Sequence, residues 1–224
     1  MKIVILHGLF MNRLIMAPMA RRLEKMGWQV DNLSYPSTSS DKEALFDTLQ
    51  VAIAEGPVIM IGHSLGGLVI RDFLKHRQID SDTVPLVITL GTPHQGARIA
   101  EDLAKLNIQG MLGSSTQFGL LPSHYDAEWN LPNHLISIAG NLKIGARPLL
   151  DRVWRDGVEE SDGTVSVDET RISGMTKHIV VQQTHTSMVY SRDVIRLIDK
   201  YARLALGAAP YQPAEHPIKQ FLKR

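Results

Sequence analysis

The chemistry this sequence can support centres on Ser64. The run Gly62-His63-Ser64-Leu65-Gly66 follows the apolar stretch Val58-Ile59-Met60-Ile61 and precedes a helical pattern, Leu68-Val69-Ile70-Arg71-Asp72-Phe73-Leu74. Strand, sharp turn and helix in that order force the serine into a strained backbone conformation that lifts its hydroxyl above the sheet. Glycines two before and two after it let strand and helix pass closely without Cβ clashes. The five-residue pattern is weak evidence by itself, and its placement between a buried strand and a helix is what makes it informative. A serine hydroxyl is a weak nucleophile at neutral pH, so it needs a histidine to take its proton and a carboxylate to hold that histidine in the right tautomer. Downstream, Ser161-Asp162-Gly163-Thr164-Val165 offers an aspartate in a turn, and His178-Ile179-Val180-Val181-Gln182-Gln183 reads as a last strand delivering Thr184-His185. Backbone N–H groups must also meet the charge that develops on a substrate carbonyl oxygen. Leu65 supplies one such amide. The other is expected from a loop after the first strand, where Lys2-Ile3-Val4-Ile5-Leu6 runs straight into His7-Gly8-Leu9-Phe10 and Gly8 allows a tight bend that can present the Leu9 amide.

Other residues compete for these roles. Of the nine histidines, His7 and His63 belong to motifs that shape the backbone, and His178 starts a strand. His76, His124, His134 and His216 lie in poorly fitting places, so His94 is the rival to His185 as base. For the acid, Asp168 shares the interval with Asp162, and Asp156, Glu159 and Glu160 lie nearby. Asp-Gly-Thr-Val sets Asp162 in a tight turn before a short apolar segment, whereas Asp168 lies beyond that segment, where a solvated role fits better.

Four segments together resemble the α/β-hydrolase superfamily, and within it the bacterial lipase and esterase branch. They are His7-Gly8-Leu9, Gly62-His63-Ser64-Leu65-Gly66-Gly67, Gly91-Thr92-Pro93-His94-Gln95-Gly96, and Asp162-Gly163-Thr164-Val165 with His185. The resemblance implies the chain order nucleophile, acid, histidine, which Ser64, Asp162 and His185 satisfy and His94 does not. It implies an ester hydrolase with an oxyanion loop at Leu9. It also implies that the Gly-Thr-Pro-His stretch borders the active site and leads into a cap. Some lipases of that branch carry a structural calcium, but no matching pair of aspartates is found here. There is no H-E-x-x-H spacing, and no metal or cofactor is expected.

The elements that must position these residues alternate as apolar strands and amphipathic helices, the pattern of a parallel α/β sheet. Six strands are expected, at Lys2–Leu6, Gln29–Leu33, Val58–Ile61, Leu86–Leu90, His134–Ala139 and His178–Gln182. Met16, Met19, Ala20 and Leu23 mark a helix after the first strand, with Pro18 placed in its first turn and Gly27 as its stop. Val194, Leu197, Ile198, Tyr201 and Leu204 mark a closing helix ending at Gly207. The fold expected is the superfamily core reduced to about six strands, without leading antiparallel strands, as residues 1–207. A cap insertion over about 97–133 carries Met111, Leu112, Phe118, Leu120 and Leu121. Those side chains face an acyl chain on one reading and simply fill the core on another. With Phe10 and His94 they complete the set of substrate-pocket candidates. Trp129, Trp154 and Tyr125 read as packing residues. The tail 208–224, with Pro210, Pro213 and Pro217, is compatible with an arm on its own domain, an arm on a partner, or disorder.

Composition narrows the function classes. The 224 residues are 44% apolar, enough for the core of one domain. With 24 basic and 23 acidic side chains the net charge is +1, which gives no electrostatic footprint for nucleic acid or an anionic membrane. The absence of cysteine excludes disulfides and thiolate metal sites. The first apolar run is short and enters the Gly8 bend at once, so a cytoplasmic enzyme without a cleaved leader or transmembrane segment is expected. The substrate expected is a small acyl ester or lipid-like molecule. Three classes are compatible with the residues: a carboxylic ester hydrolase, a thioesterase, amidase or acyltransferase using the same acyl-enzyme, and a binding protein that inherited the fold.

Overall fold

The computed structural model describes residues 1–38, 41–96, 128–143 and 160–211. Its centre is a sheet of six parallel strands: β1 (Lys2–Leu6), β2 (Gln29–Leu33), β3 (Val58–His63), β4 (Leu86–Leu90), β5 (His134–Gly140) and β6 (Lys177–Val181). These are the six expected strands with ends shifted by at most two residues. The largest shift is at β3, where the ladder continues through Gly62 opposite Thr89 and His63 opposite Leu90. His63 is therefore the last residue of the sheet before the turn at Ser64.

The strands lie in the order β2-β1-β3-β4-β5-β6. After β2 the chain crosses back over β1 to lay down β3, so the direction of winding reverses between β1 and β3. Loops leaving the carboxyl ends of these two strands diverge to opposite sides, which opens a crevice at this point in sheets of this type. The loop His7–Phe10 and the turn at Ser64 both begin there, since Leu6 is paired with Gly62.

Side chains along each strand alternate between the two faces. Ile3, Ile5, Ile59, Ile61 and Ile88 pack with Met16, Met19 and Leu23 of α1 (Arg13–Lys25) and with Val194 and Ile198 of α4 (Arg192–Ala205). Val4, Leu6, Met60 and Val87 pack on the other face with Phe46 and Leu49 of α2 (Lys42–Ala52) and with Leu68 and Phe73 of α3 (Leu65–Arg77). Asn12, Asp41 and Ser191 cap α1, α2 and α4 by accepting first-turn amides.

One expectation needs correction. Because Asn12 caps α1, the helix begins at Arg13 and Pro18 falls in its second turn rather than its first. There its ring nitrogen removes one interior hydrogen bond, and the buried stripe of Met16, Met19, Ala20 and Leu23 holds the helix regardless. Helix α2, with Leu45, Phe46, Leu49 and Ala52 buried, adds to the helices expected from the sequence. Of the interval 97–133 only 128–133 is described. Trp129 is buried there, donating its indole N–H to the Asn133 carbonyl at 2.7 Å. Met111, Leu112, Phe118, Leu120, Leu121, Tyr125 and Trp154 lie outside the described residues. The first tail residues lie against α4, where Arg203 donates to the Ala209 carbonyl at 3.3 Å.

Candidate active site

Ser64 stands between β3 and α3 with φ 53° and ψ −123°. A non-glycine residue there carries strain of about 1–3 kcal/mol, which persists only where the surroundings enforce it. Two bonds from outside the turn hold its backbone: Ser64 N–H donates to Leu90 C=O at 2.8 Å, and Ser64 C=O accepts from the Thr92 hydroxyl at 2.9 Å. The glycines on either side permit the close approach. A Cβ on Gly62 would lie 2.4 Å from the Gly67 nitrogen, and one on Gly66 would lie 2.5 Å from the Leu6 carbonyl oxygen and 2.7 Å from that of His7. These neighbours are backbone atoms and have no rotamer to escape into. Gly66→Ala is accordingly expected to push α3 off the end of β1 at a cost of at least about 1–3 kcal/mol. For a chain of this size that is about 2–4 °C of Tm per kcal/mol. An unchanged thermal melt would contradict this packing.

Asp162 lies in the loop after β5 and His185 in the loop after β6. The Asp162 side chain is almost wholly buried. Its Oδ1 accepts the amides of Thr164 and Val165 at 2.9 and 2.8 Å, a turn made possible by Gly163 at φ 93°. That leaves Oδ2, which accepts the His185 Nδ1–H at 2.7 Å. The His185 backbone N–H also donates to the Asp162 carbonyl, at 2.9 Å. The ring is thus fixed in the tautomer with its proton on Nδ1, and Nε2 remains to take or give a proton. Gly91, directly after Leu90, touches the same pair: a Cβ there would lie 2.9 Å from both Asp162 Oδ2 and His185 Nδ1.

The loop after β1 closes the other side. A Cβ on Gly8 would lie 2.9 Å from the Ser64 Cβ. His7 braces this loop from beneath. Its Nδ1–H donates to the Gly8 carbonyl at 2.9 Å, its Nε2 accepts the Tyr35 amide at 3.2 Å, and its ring stacks on that of Tyr35 at 4.5 Å. The Tyr35 hydroxyl in turn donates to the His7 carbonyl at 2.9 Å. Burial lowers the His7 pKa, against the pull of these backbone bonds. Phe10 has φ 56°, its amide donates to the Ser37 hydroxyl at 3.1 Å, and its side chain is 62% exposed beside the loop. Leu9 lies between Gly8 and Phe10. Leu65 opens α3, so its amide is one of those with no intrahelical acceptor.

His94 is enclosed. Its Nε2 is 3.0 Å from the Thr89 hydroxyl, its carbonyl accepts from Arg71 at 3.2 Å, and its ring meets Trp129 edge-on. Burial, reinforced by Arg71 and His178, holds it at about 3, so it is neutral. Asp168 is exposed and faces Arg171 at 3.5 Å. Sequence reasoning passed over Thr92, Tyr35, Ser37 and the His63 side chain. Thr92 belongs to the Gly-Thr-Pro-His stretch, and its place directly after β4 is the signal that could find it. Nothing local marked the others.

The sheet order, the strained serine after β3 and the strand-end loops that meet around it define the α/β-hydrolase class of fold. Within it, the chain belongs to the PGAP1-like alpha/beta domain family, whose model matches residues 50–202 of the 224. Among solved structures, the mature form of the Bacillus licheniformis lipase BlEst2 has a TM-score of 0.64 at 24% identity, over 91% of this chain and 91% of that one. The pyrethroid hydrolase PytH has a TM-score of 0.63 at 13% identity, over 90% and 96% of the two chains. Polyneuridine aldehyde esterase has a TM-score of 0.56 at 13% identity, over 90% and 98%. These likenesses establish a shared fold. No curated protein matches the chain in sequence. No helix among the described residues is long and apolar enough to cross a membrane.

Proposed function

We propose that the protein hydrolyses carboxylic esters through an acyl-enzyme on Ser64, with residues 1–207 as the catalytic domain. The observation that carries this reading is the buried Asp162 carboxylate, whose second oxygen accepts the His185 Nδ1–H at 2.7 Å, with the His185 ring 4.7 Å from that of His63, the residue before the strained serine. In acylation, His185 Nε2 takes the Ser64 hydroxyl proton as Oγ attacks the ester carbonyl carbon. The Leu9 and Leu65 amides hold the resulting oxyanion, and Asp162 stabilises the imidazolium. The tetrahedral intermediate collapses as His185 gives that proton to the leaving alkoxide. Deacylation repeats these steps, with water as the nucleophile and Ser64 as the leaving group.

The test is turnover of matched oxygen esters, thioesters and amides that share one acyl group. Oxygen esters should give the highest kcat/KM, while preference for a thioester or amide would move the assignment to that reaction. Lengthening the acyl group from acetate to octanoate should improve kcat/KM by up to about 0.8 kcal/mol for each methylene fully buried. The apolar residues from Met111 to Leu121, with Phe10, are the proposed lining. A flat or falling series would reduce the substrate class to small esters.

A further inference from the structure

His185 is tied to Asp162 twice, through its ring Nδ1 and its backbone amide. Both bonds run to the same loop, so they fix the histidine relative to the acid and not relative to the serine. A third bond has a different destination. The His185 carbonyl lies 2.9 Å from His63 Nε2, and since a carbonyl only accepts, Nε2 carries the proton. His63 is the residue before Ser64 and the last of β3. Its ring is fully buried, 4.7 Å from the ring of His185. Its Nδ1 faces the Gly8 bend, where a Cβ would come within 3.1 Å, and this nitrogen has no hydrogen-bond partner among the described residues.

We infer that His63 is a positioning residue for the proposed reaction: its Nε2–H clamps the His185 carbonyl and so fixes the base relative to the serine turn. The inference rests on the ester-hydrolase reading. It follows from connectivity, since this bond joins the loop after β6 to the residue adjoining the nucleophile. Displacements of about 1 Å between reacting groups can cost about 10²-fold in rate. The titratable groups around the ring are His185 and Asp162 from their loops and His7 from the end of β1. Burial, with His185 adding to it, lowers the His63 pKa to about 3, in keeping with a neutral ring that carries its proton on Nε2.

Side-chain geometry supplies the test. A glutamine amide can occupy the position of Nε2, whereas an asparagine amide reaches only that of Nδ1. His63→Gln should therefore keep kcat within about fivefold of wild type, and His63→Asn should lose about 10- to 100-fold in kcat with KM changed less than about twofold. Equal losses in both variants, or no loss in His63→Asn, would overturn the inference. Should the variants fail to fold, nitrogen-proton correlation spectra of the wild-type imidazoles decide it. A neutral His63 with its proton on Nε2 supports the clamp, and a proton on Nδ1 or a cationic ring at pH 6 overturns it. Fluorophosphonate labelling of wild-type Ser64 is run alongside. Without that label the hydrolase reading itself fails, while the spectra still report on the His63–His185 bond.

Discussion

Ser64→Ala should abolish covalent labelling by fluorophosphonates and lower kcat by several orders of magnitude, to the residual rate that oxyanion donors and substrate binding sustain alone. The fold should survive. Alanine keeps the Cβ, and the two bonds that hold the turn use the backbone N–H and C=O of residue 64 rather than its hydroxyl. A thermal melt within a degree or two of wild type would separate loss of chemistry from loss of structure. Peptide mapping of the labelled wild-type protein identifies the nucleophile directly. Label on Ser37, whose hydroxyl is already engaged by the Phe10 amide, or on any serine other than Ser64, would end the assignment.

The second large effect concerns the acid. In Asp162→Asn, Oδ1 can continue to accept the Thr164 and Val165 amides, so the turn is preserved. The new amide nitrogen then faces His185 Nδ1 where an oxygen stood. Two donors cannot share that contact, so the ring shifts its proton to Nε2, the atom that accepts the serine proton in the proposed reaction. The corresponding change in the serine-protease triad costs about 10⁴ in kcat, and a loss of at least about 10² is expected here. Asp168→Asn should cost less than about tenfold, because that carboxylate is exposed and its ion pair with Arg171 is of the weak surface kind. Steady-state kinetics on both variants, with melts showing equal stability, distinguish the two aspartates. The reverse pattern would move the acid role to Asp168 and leave Ser64 and His185 in place.

The parts of the molecule legible in the sequence are those written in local pattern. An unbroken apolar run marks Ile3 to Leu6 as a strand buried on both faces. Glycines at 62 and 66 announce a close strand-to-helix passage, and a Cβ at either would meet backbone within 2.6 Å. Asp-Gly-Thr-Val describes the turn that occupies one Asp162 oxygen and frees the other. Each of these is fixed by backbone sterics or by hydrogen bonds within a few residues, so composition and spacing carry the information. Helix α2 and the position of Pro18 were less legible, because the starts of those helices are set by single capping side chains, Asp41 and Asn12, which the spacing of apolar residues does not show.

What only the tertiary structure decided is the set of contacts between residues far apart in the chain. No local signal says that β1 lies between β2 and β3, and that order alone brings the Gly8 bend against Ser64. His63 looked like one more residue of the serine turn, yet it reaches across 122 positions to the His185 carbonyl. His94 sits in a motif associated with active sites, yet the packing of Thr89, Arg71 and Trp129 encloses it. A side chain's type and spacing determine which bonds it can make. Which partner stands within 3 Å is settled when the sheet assembles and its strand-end loops are forced into one crevice.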